Sequence, residues 1–310
     1  MQSPDALVLG GGGTLGEAWM SSVLAGLDEA DGFNARASGC FVGTSAGSIV
    51  AASLVAGMAP SSRLGSLSPA DDAQPEDFLE QESALRQAFG AAAELAGAAA
   101  APLASLAFTS SARGGALLRR TALRRVPAGR RSLAELGRLV EHTGVRWDGR
   151  LRITAVELAT GQRVVFGAPG EPQPAVSVAV QASCAIPGVF APVTSDGRTY
   201  VDGGAWSPTN MDAAEVAKGG RVLCLNPTGS LRPTVGSLAG ALGPVSRGAA
   251  ATEALVIKGR GASATTINPD AASAAAMGLN LMDHARRAAV VEAGLAQGRR
   301  LARGGRARAA

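Results

Sequence analysis

Three short stretches hold the residues that could do chemistry. The first is Gly43-Thr44-Ser45-Ala46-Gly47, a serine between two glycines directly after the apolar run Cys40 to Val42. A G-x-S-x-G corner between a strand and a helix can lift a serine hydroxyl above a sheet as a nucleophile. The N–H of Ala46 would then lie beside it, and Gly43 and Gly47 would supply the clearance that a tight corner needs. The same residues also fit a glycine turn with an ordinary serine N-cap. The second stretch is Gly11-Gly12-Gly13-Thr14-Leu15-Gly16, between another apolar run and a helical pattern. It matches the G-x-G-x-x-G fingerprint of a dinucleotide site. That fingerprint expects a carboxylate at the end of the second strand, and Gly43-Thr44-Ser45 stands there instead. Backbone N–H groups at a helix start can also hold a developing negative charge. An oxyanion hole made by the amides of Gly11, Gly12 and Gly13, with Ala46, accounts for both loops at once.

A serine nucleophile needs a base, and the chain has only two histidines. His142 ends a charged helical pattern, and His284 lies mid-helix beside Asp283, Arg286 and Arg287. Both read as surface residues, and neither follows a strand end, where a parallel sheet presents its catalytic groups. Asp202 does, in the third stretch, Tyr200-Val201-Asp202-Gly203-Gly204. A carboxylate bonded directly to a serine can act as its base when burial raises its basicity. Alone, the same Asp-Gly pair is also a common turn.

Those corners need strands and helices to position them. Ala6 to Leu9 is an apolar run, residues 16 to 30 carry Trp19, Val23 and Leu27 at helical spacing, and Ala46 to Met58 place Ile49, Val50, Leu54 and Met58 on one face. Strand, loop and helix twice in succession, with short connections, argue for parallel strands in a layered α/β fold. Leu133 to His142 and Val176 to Ala182 read as helices. Leu151 to Leu158, Arg163 to Phe166, Thr199 to Val201 and Val222 to Leu225 read as strands, the first two joined at Gly161. Residues 59 to 131 break the rhythm with a Ser/Pro/Asp-rich link, an Ala-rich stretch and seven arginines between Arg113 and Arg131. An Ala-rich helix around 271 to 302 precedes a tail, RGGRARAA, with the composition of a disordered segment. The simplest partition is one domain over 1–310, with a core at 5–58 and 132–228, an insertion at 59–131 and a C-terminal helix at 270–303.

Composition narrows the function classes. Hydrophobic residues at 46% and charged ones at 17% suit a substantial core, and aromatics at 4% leave it to Ala, Val and Leu. The net charge of +4 rests on arginine, since Lys218 and Lys258 are the only lysines. No aromatic-interleaved basic motif accompanies it, so nucleic acid is not an expected partner. Cys40, Cys184 and Cys224 are odd in number and widely spaced. They make neither a disulfide framework nor a zinc site, and read as buried thiols of a cytoplasmic protein. A strand and glycine loop begin within the first ten residues, which leaves no room for a signal peptide. The longest apolar candidate for a membrane span, 91 to 108, is interrupted by Glu94, Gly97 and Pro102.

In order along the chain, GGGTLG at 11–16, GTSAG at 43–47 and DGG at 202–204 resemble the patatin-like phospholipase family. QASCAIPGVFAPV at 181–193 is similar to the stretch that these proteins carry before their catalytic aspartate, and Asn226-Pro227 also fits. The likeness implies a three-layer α/β/α fold around a mainly parallel sheet, and a lipid acyl hydrolase working through a Ser-Asp dyad. Ser45 would match the nucleophile and Asp202 the base. The backbone of Gly12 and Gly13 would match the oxyanion hole, and Gly16, Gly43, Gly47, Gly203 and Gly204 the motif glycines. No metal or organic cofactor is implied, and the expected partner is a lipid or other acyl ester. Leu15 stands where the family usually has Arg or Lys, which bears on the oxyanion loop or headgroup preference but removes no catalytic group. A catalytically silent lipid binder, and a dinucleotide-binding protein using residues 11–16, are the competing readings. The insertion adds one more expectation. Residues 91–131 could lie on an anionic membrane as a lid, arginines at the headgroups, or form a solvated helical hairpin.

Overall fold

The computed structural model describes residues 2–29, 33–65, 113–231 and 238–307. In chain order its strands are β1 (Ala6–Leu9), β2 (Cys40–Thr44), β3 (Leu151–Glu157), β4 (Arg163–Phe166), β5 (Val193–Ser195), β6 (Arg198–Asp202), β7 (Arg221–Leu225) and β8 (Ser263–Ile267). The helices are α1 (Gly13–Asp28), α2 (Ala46–Val55), α3 (Arg113–Arg125), α4 (Ala134–His142), α5 (Val176–Cys184), α6 (Leu238–Gly259), α7 (Ala271–Met277) and α8 (Arg287–Ala307).

All eight strands form one sheet. Five are parallel, in the order β3-β2-β1-β7-β8, while β4, β5 and β6 run antiparallel to their partners. Of the parallel strands, β1, β2, β3 and β7 are covered on both faces, as interior parallel strands are, while β8 at the edge alternates exposed and half-buried residues. Leu7, Leu9, Phe41, Ile153 and Ala155 pack with residues of α1, α2, α5 and α8 in the larger core. Val8, Val42 and Cys224 face the other way, against Ala250 and Ile257 of α6. A small third cluster joins Val156, Val201 and Trp206 to Leu123 of α3. The result is the expected three-layer α/β/α arrangement. Leu15 is fully buried in the larger core, so its apolar side chain fits a site where a cation would be stranded.

The register around β3 brings the serine and aspartate corners together. Residues 151–154 of β3 pair with β2, residues 153–156 with β4, and residues 155–157 with β6. A strand has two edges. Since β4 overlaps both of the others, β2 and β6 must share the opposite edge. They run toward one another along it, with Thr44 opposite Thr154 and Asp202 opposite Ala155. Asp202 therefore ends an antiparallel strand rather than a member of the parallel set, and meets the end of β2 head to head.

Other sequence expectations need correction. The single helix expected over 271–302 is two, because Gly278 at φ 65 ends α7 and Asp283 caps a short turn over His284–Arg286. His284 lies in that turn rather than mid-helix. The α8 helix continues to Ala307, into the segment read as a disordered tail. Helix α3 falls within 91–131, where a helical hairpin was one expectation, while β5, α6 and β8 had no counterpart in the sequence reading. Helix α6 has Pro244 inside it, directly after Gly243, a pair that reads as a break. The stretch 91–108 lies outside the described residues.

Candidate active site

Ser45 sits between the last residue of β2 and the first of α2, with φ 52 and ψ −124. A non-glycine residue held at such positive φ costs on the order of 1–3 kcal/mol, which the surrounding packing must impose. The side chain makes no capping hydrogen bond to α2, so the N-cap alternative does not describe it. The corner closes tightly. A Cβ on Gly43 would lie 2.8 Å from the Ser48 nitrogen, and one on Gly47 would run into the Leu9 carbonyl. The Ser45 N–H donates to Ser183 Oγ at 2.8 Å, and Ser48 Oγ donates to the Ser45 carbonyl at 2.7 Å. Ser183 lies within the 181–193 motif, but nothing in its residue type announced that role.

Asp202 is 5% exposed at the end of β6. Its Oδ1 accepts the Gly204 N–H at 2.7 Å, so the turn reading of Asp-Gly is true as far as it goes. Burial pushes its pKa up to about 6, while the nearby Ser45 side chain and the Gly204 N–H hold it down. The Cys184 thiol is 3.8 Å from Ser48 Oγ, and burial, with the Asp202 charge, raises its pKa strongly. A thiol so raised stays protonated and does not compete as a nucleophile. His142 and His284 are both exposed.

The glycine loop lies directly beside the serine: a Cβ on Gly11 would be 3.5 Å from Ser45 Cβ. The Gly11 N–H is donated to the Pro208 carbonyl at 2.8 Å, so that amide, expected to face an oxyanion, is committed elsewhere. The Leu15 N–H goes to the Leu281 carbonyl at 2.9 Å and the Gly16 N–H to the Gly12 carbonyl at 2.8 Å. Among the described residues no backbone carbonyl outside the regular elements takes the N–H of Gly12, Gly13 or Ala46. With Thr14 and Gly47 they are donors left at the starts of α1 and α2, where helix ends favour negative charge.

The chain beyond Asp202 is held from afar. Trp206 stacks between two guanidinium groups, Arg119 of α3 at 4.1 Å and Arg163 of β4 at 5.3 Å from the ring centroid. Arg119 is fully buried and donates to the carbonyls of Ala205, at 3.1 Å, and Gly161, at 2.7 Å. Burial and the nearby Arg163 lower its pKa to about 10. Arg163 also grips Asp212 through two hydrogen bonds, and Glu253 of α6 accepts the Met211 N–H at 2.7 Å. Sequence reasoning missed all of these, since none lies near the motifs it used except Trp206.

A cavity of about 450 Å³ between α3 and β6 is lined by Leu123, Leu158, Pro187 and Val201 among others. Neither Ser45 nor Asp202 is among its lining residues. Among the described residues there is no cluster of His, Cys, Asp and Glu able to hold a metal ion. Nor is any helix among them long and apolar enough to cross a membrane.

No curated protein gives a significant match to the chain. A family model described as patatin-like phospholipase matches residues 7–215, a span that includes the glycine loop, the serine corner and Asp202. The chain therefore belongs to the patatin-like phospholipase family, whose members are typically lipid acyl hydrolases.

Proposed function

We propose that the protein hydrolyses carboxylic esters of lipids, with Ser45 as nucleophile and Asp202 as its base. The observation that carries this reading is a strained, glycine-flanked serine whose side chain lies near enough to a buried carboxyl, with a pKa of about 6, to hold that pKa down. Such a group is mostly ionised at pH 7 yet more basic than an exposed aspartate. In the first step Ser45 Oγ attacks the ester carbonyl while Asp202 takes its proton. The N–H groups of Gly12, Gly13 and Ala46 hold the oxyanion. The leaving alcohol departs with the proton from Asp202, which leaves an acyl-enzyme. Water then attacks that ester, Asp202 again accepting the proton, and the fatty acid leaves as Ser45 recovers its hydrogen.

The test is a hydrolysis panel of phospholipids, lysophospholipids and simple esters, run beside fluorophosphonate labelling. Ser45→Ala and Asp202→Asn are each expected to lower turnover by about 1,000-fold or more, and Ser45→Ala to abolish labelling. Turnover equal to wild type in both variants refutes the assignment. A silent lipid-binding member would instead bind vesicles while wild-type Ser45 remained unlabelled.

The proposal includes peripheral contact with anionic membrane. On α3, Leu117, Leu118, Thr121, Arg124 and Arg125 are exposed and recur at helical spacing, with the two leucines 61% and 54% exposed. Apolar groups flanked by arginines suit a headgroup boundary. Co-sedimentation with anionic vesicles should fall with added salt and with Leu118→Ser. Binding indifferent to salt and lipid charge ends this part of the reading. Three free, buried cysteines are in keeping with a cytoplasmic setting.

A further inference from the structure

Two strand ends that meet head to head along one edge of β3 cannot hydrogen-bond to each other as a ladder. Pairing with β3 sets their register, and a direct contact between them fixes the remaining gap, which decides whether Ser45 reaches Asp202. We propose that Asn210 is the positioning residue that sets it, its amide strutting the end of β2 against the end of β6. This inference rests on the Ser45–Asp202 reading above.

Asn210 is fully buried and adopts a left-handed conformation, φ 50 and ψ 35, which asparagine tolerates better than most residues. Its Nδ2 donates to Thr44 Oγ1 at 3.1 Å, to the Gly203 carbonyl at 3.3 Å and to the Ser207 carbonyl at 2.6 Å. Thr44 immediately precedes the nucleophile and Gly203 immediately follows the base. One planar amide thus touches both chains at the residue next to the reacting group. The amide cannot turn over. Arg163 Nη1 donates to its Oδ1 at 3.2 Å, and a flip would set NH₂ against a guanidinium and an oxygen against two carbonyls.

The strut continues on the serine side. Thr44 Oγ1, having accepted from Asn210, lies 2.9 Å from Thr154 Oγ1, which donates to the Gly43 carbonyl at 3.4 Å. The chain of hydroxyls therefore runs from Asn210 into the first glycine of the serine corner. On the aspartate side Gly203 is pinned from below as well, since a Cβ there would lie 2.5 Å from the Thr154 carbonyl. Charged and titratable groups around the strut are the Arg163–Asp212 pair and Glu253 beside Met211, with the Cys184 thiol beside Asp202. None of them replaces the amide as a donor to both strand ends.

The experiment compares Asn210→Gly, which keeps the left-handed backbone and removes the amide, with Thr44→Val, which removes the acceptor at the other end. Each is measured for kcat, KM and the acid limb of kcat/KM, with Ser45→Ala in the same assay. The expected result is a fall in kcat of up to about 100-fold with KM little changed, since small misplacements of reacting groups cost that much. The acid limb should move above its wild-type position, because a Ser45 side chain displaced from Asp202 no longer holds the Asp202 pKa down. The double variant should be no worse than the poorer single one, as for two cuts in one chain. If Asn210→Gly does not fold, Thr44→Val gives the same readouts. Wild-type kcat and an unmoved acid limb in the folded variants, with Ser45→Ala inactive, overturn the strut alone. Wild-type turnover in Ser45→Ala overturns the dyad and the strut together.

Discussion

The serine corner and the aspartate corner adjoin at the ends of β2 and β6, and the molecule builds them by different means. Ser45 is shaped locally: its own positive φ, two glycines within two residues, and backbone atoms of β1 and α2 that leave no room for a Cβ. Asp202 is shaped at a distance. Arg119 from α3, Arg163 from β4 and Glu253 from α6 all converge on residues 205–212, the chain that leaves β6. Apart from Gly203, which packs on the Thr154 carbonyl, the first corner is a steric solution and the second a polar one. Steric solutions fail abruptly when a single methyl group is added, because backbone cannot yield. Polar ones fail by degrees as each donor is removed.

The sharpest way to break that contrast is to add the same methyl group at both corners. Gly47→Ala drives a Cβ into the Leu9 carbonyl, and is expected to cost about 3 kcal/mol or more, as overpacking against an unyielding neighbour does. Loss of soluble protein or a large fall in Tm is the measure. Gly204→Ala meets only Asp202 Oδ1, at 3.0 Å. That variant should fold with little change in Tm and lose activity instead, by shifting the carboxylate. Equal Tm values for the two would undo the distinction between the corners.

Next in size is the clamp on Trp206. Arg119→Met keeps volume but leaves the carbonyls of Gly161 and Ala205 without their buried donor. Each buried group so stranded costs about 1–3 kcal/mol, so about 3 kcal/mol in all is expected by denaturant titration. Arg119→Lys should recover only part of this, because an ammonium cannot reach both carbonyls and lie flat on the ring. A lysine variant as stable as wild type would show that charge alone, rather than the planar fork, holds the loop.

The same contrast explains what could be read from the chain. The serine corner was legible because its cause is local: G-x-S-x-G after an apolar run states both the strain and the clearance. The parallel core was legible for a similar reason, since Ala6 to Leu9 and Cys40 to Val42 are buried on both faces and apolar throughout. Asp202 was found through its Asp-Gly-Gly context, but its route was not. Nothing in residues 198–202 says that β6 runs antiparallel and shares an edge of β3 with β2. That follows from pairings more than 40 residues apart in the chain. Arg119 lay within a run of arginines, where composition hid the one that is fully buried. Gly11 was expected to face an oxyanion together with Gly12 and Gly13, and only the position of the Pro208 carbonyl shows its amide committed elsewhere.

The smallest effect expected concerns Asp202 itself and has the opposite sign. Its folded-state pKa, about 6, lies above the 3.8 of an unperturbed aspartate. As pH falls the folded protein takes up the proton first, so ionised Asp202 weakens the fold. That penalty is absent below about pH 4 and complete above about pH 6, and a rise of this size corresponds to about 3 kcal/mol. Asp202→Asn is neutral throughout and still accepts the Gly204 N–H, though it loses the carboxylate's favourable interaction with the nearby Ser45 side chain. A net gain of about 2 kcal/mol is therefore expected at pH 7.5, shrinking toward zero near pH 4, as read by Tm across that range. A gain that does not depend on pH would mean that the stabilisation comes from packing. A loss at pH 7.5 would mean that the hydrogen bonds to the carboxylate outweigh its burial, leaving it an ordinary aspartate with no raised basicity to offer Ser45.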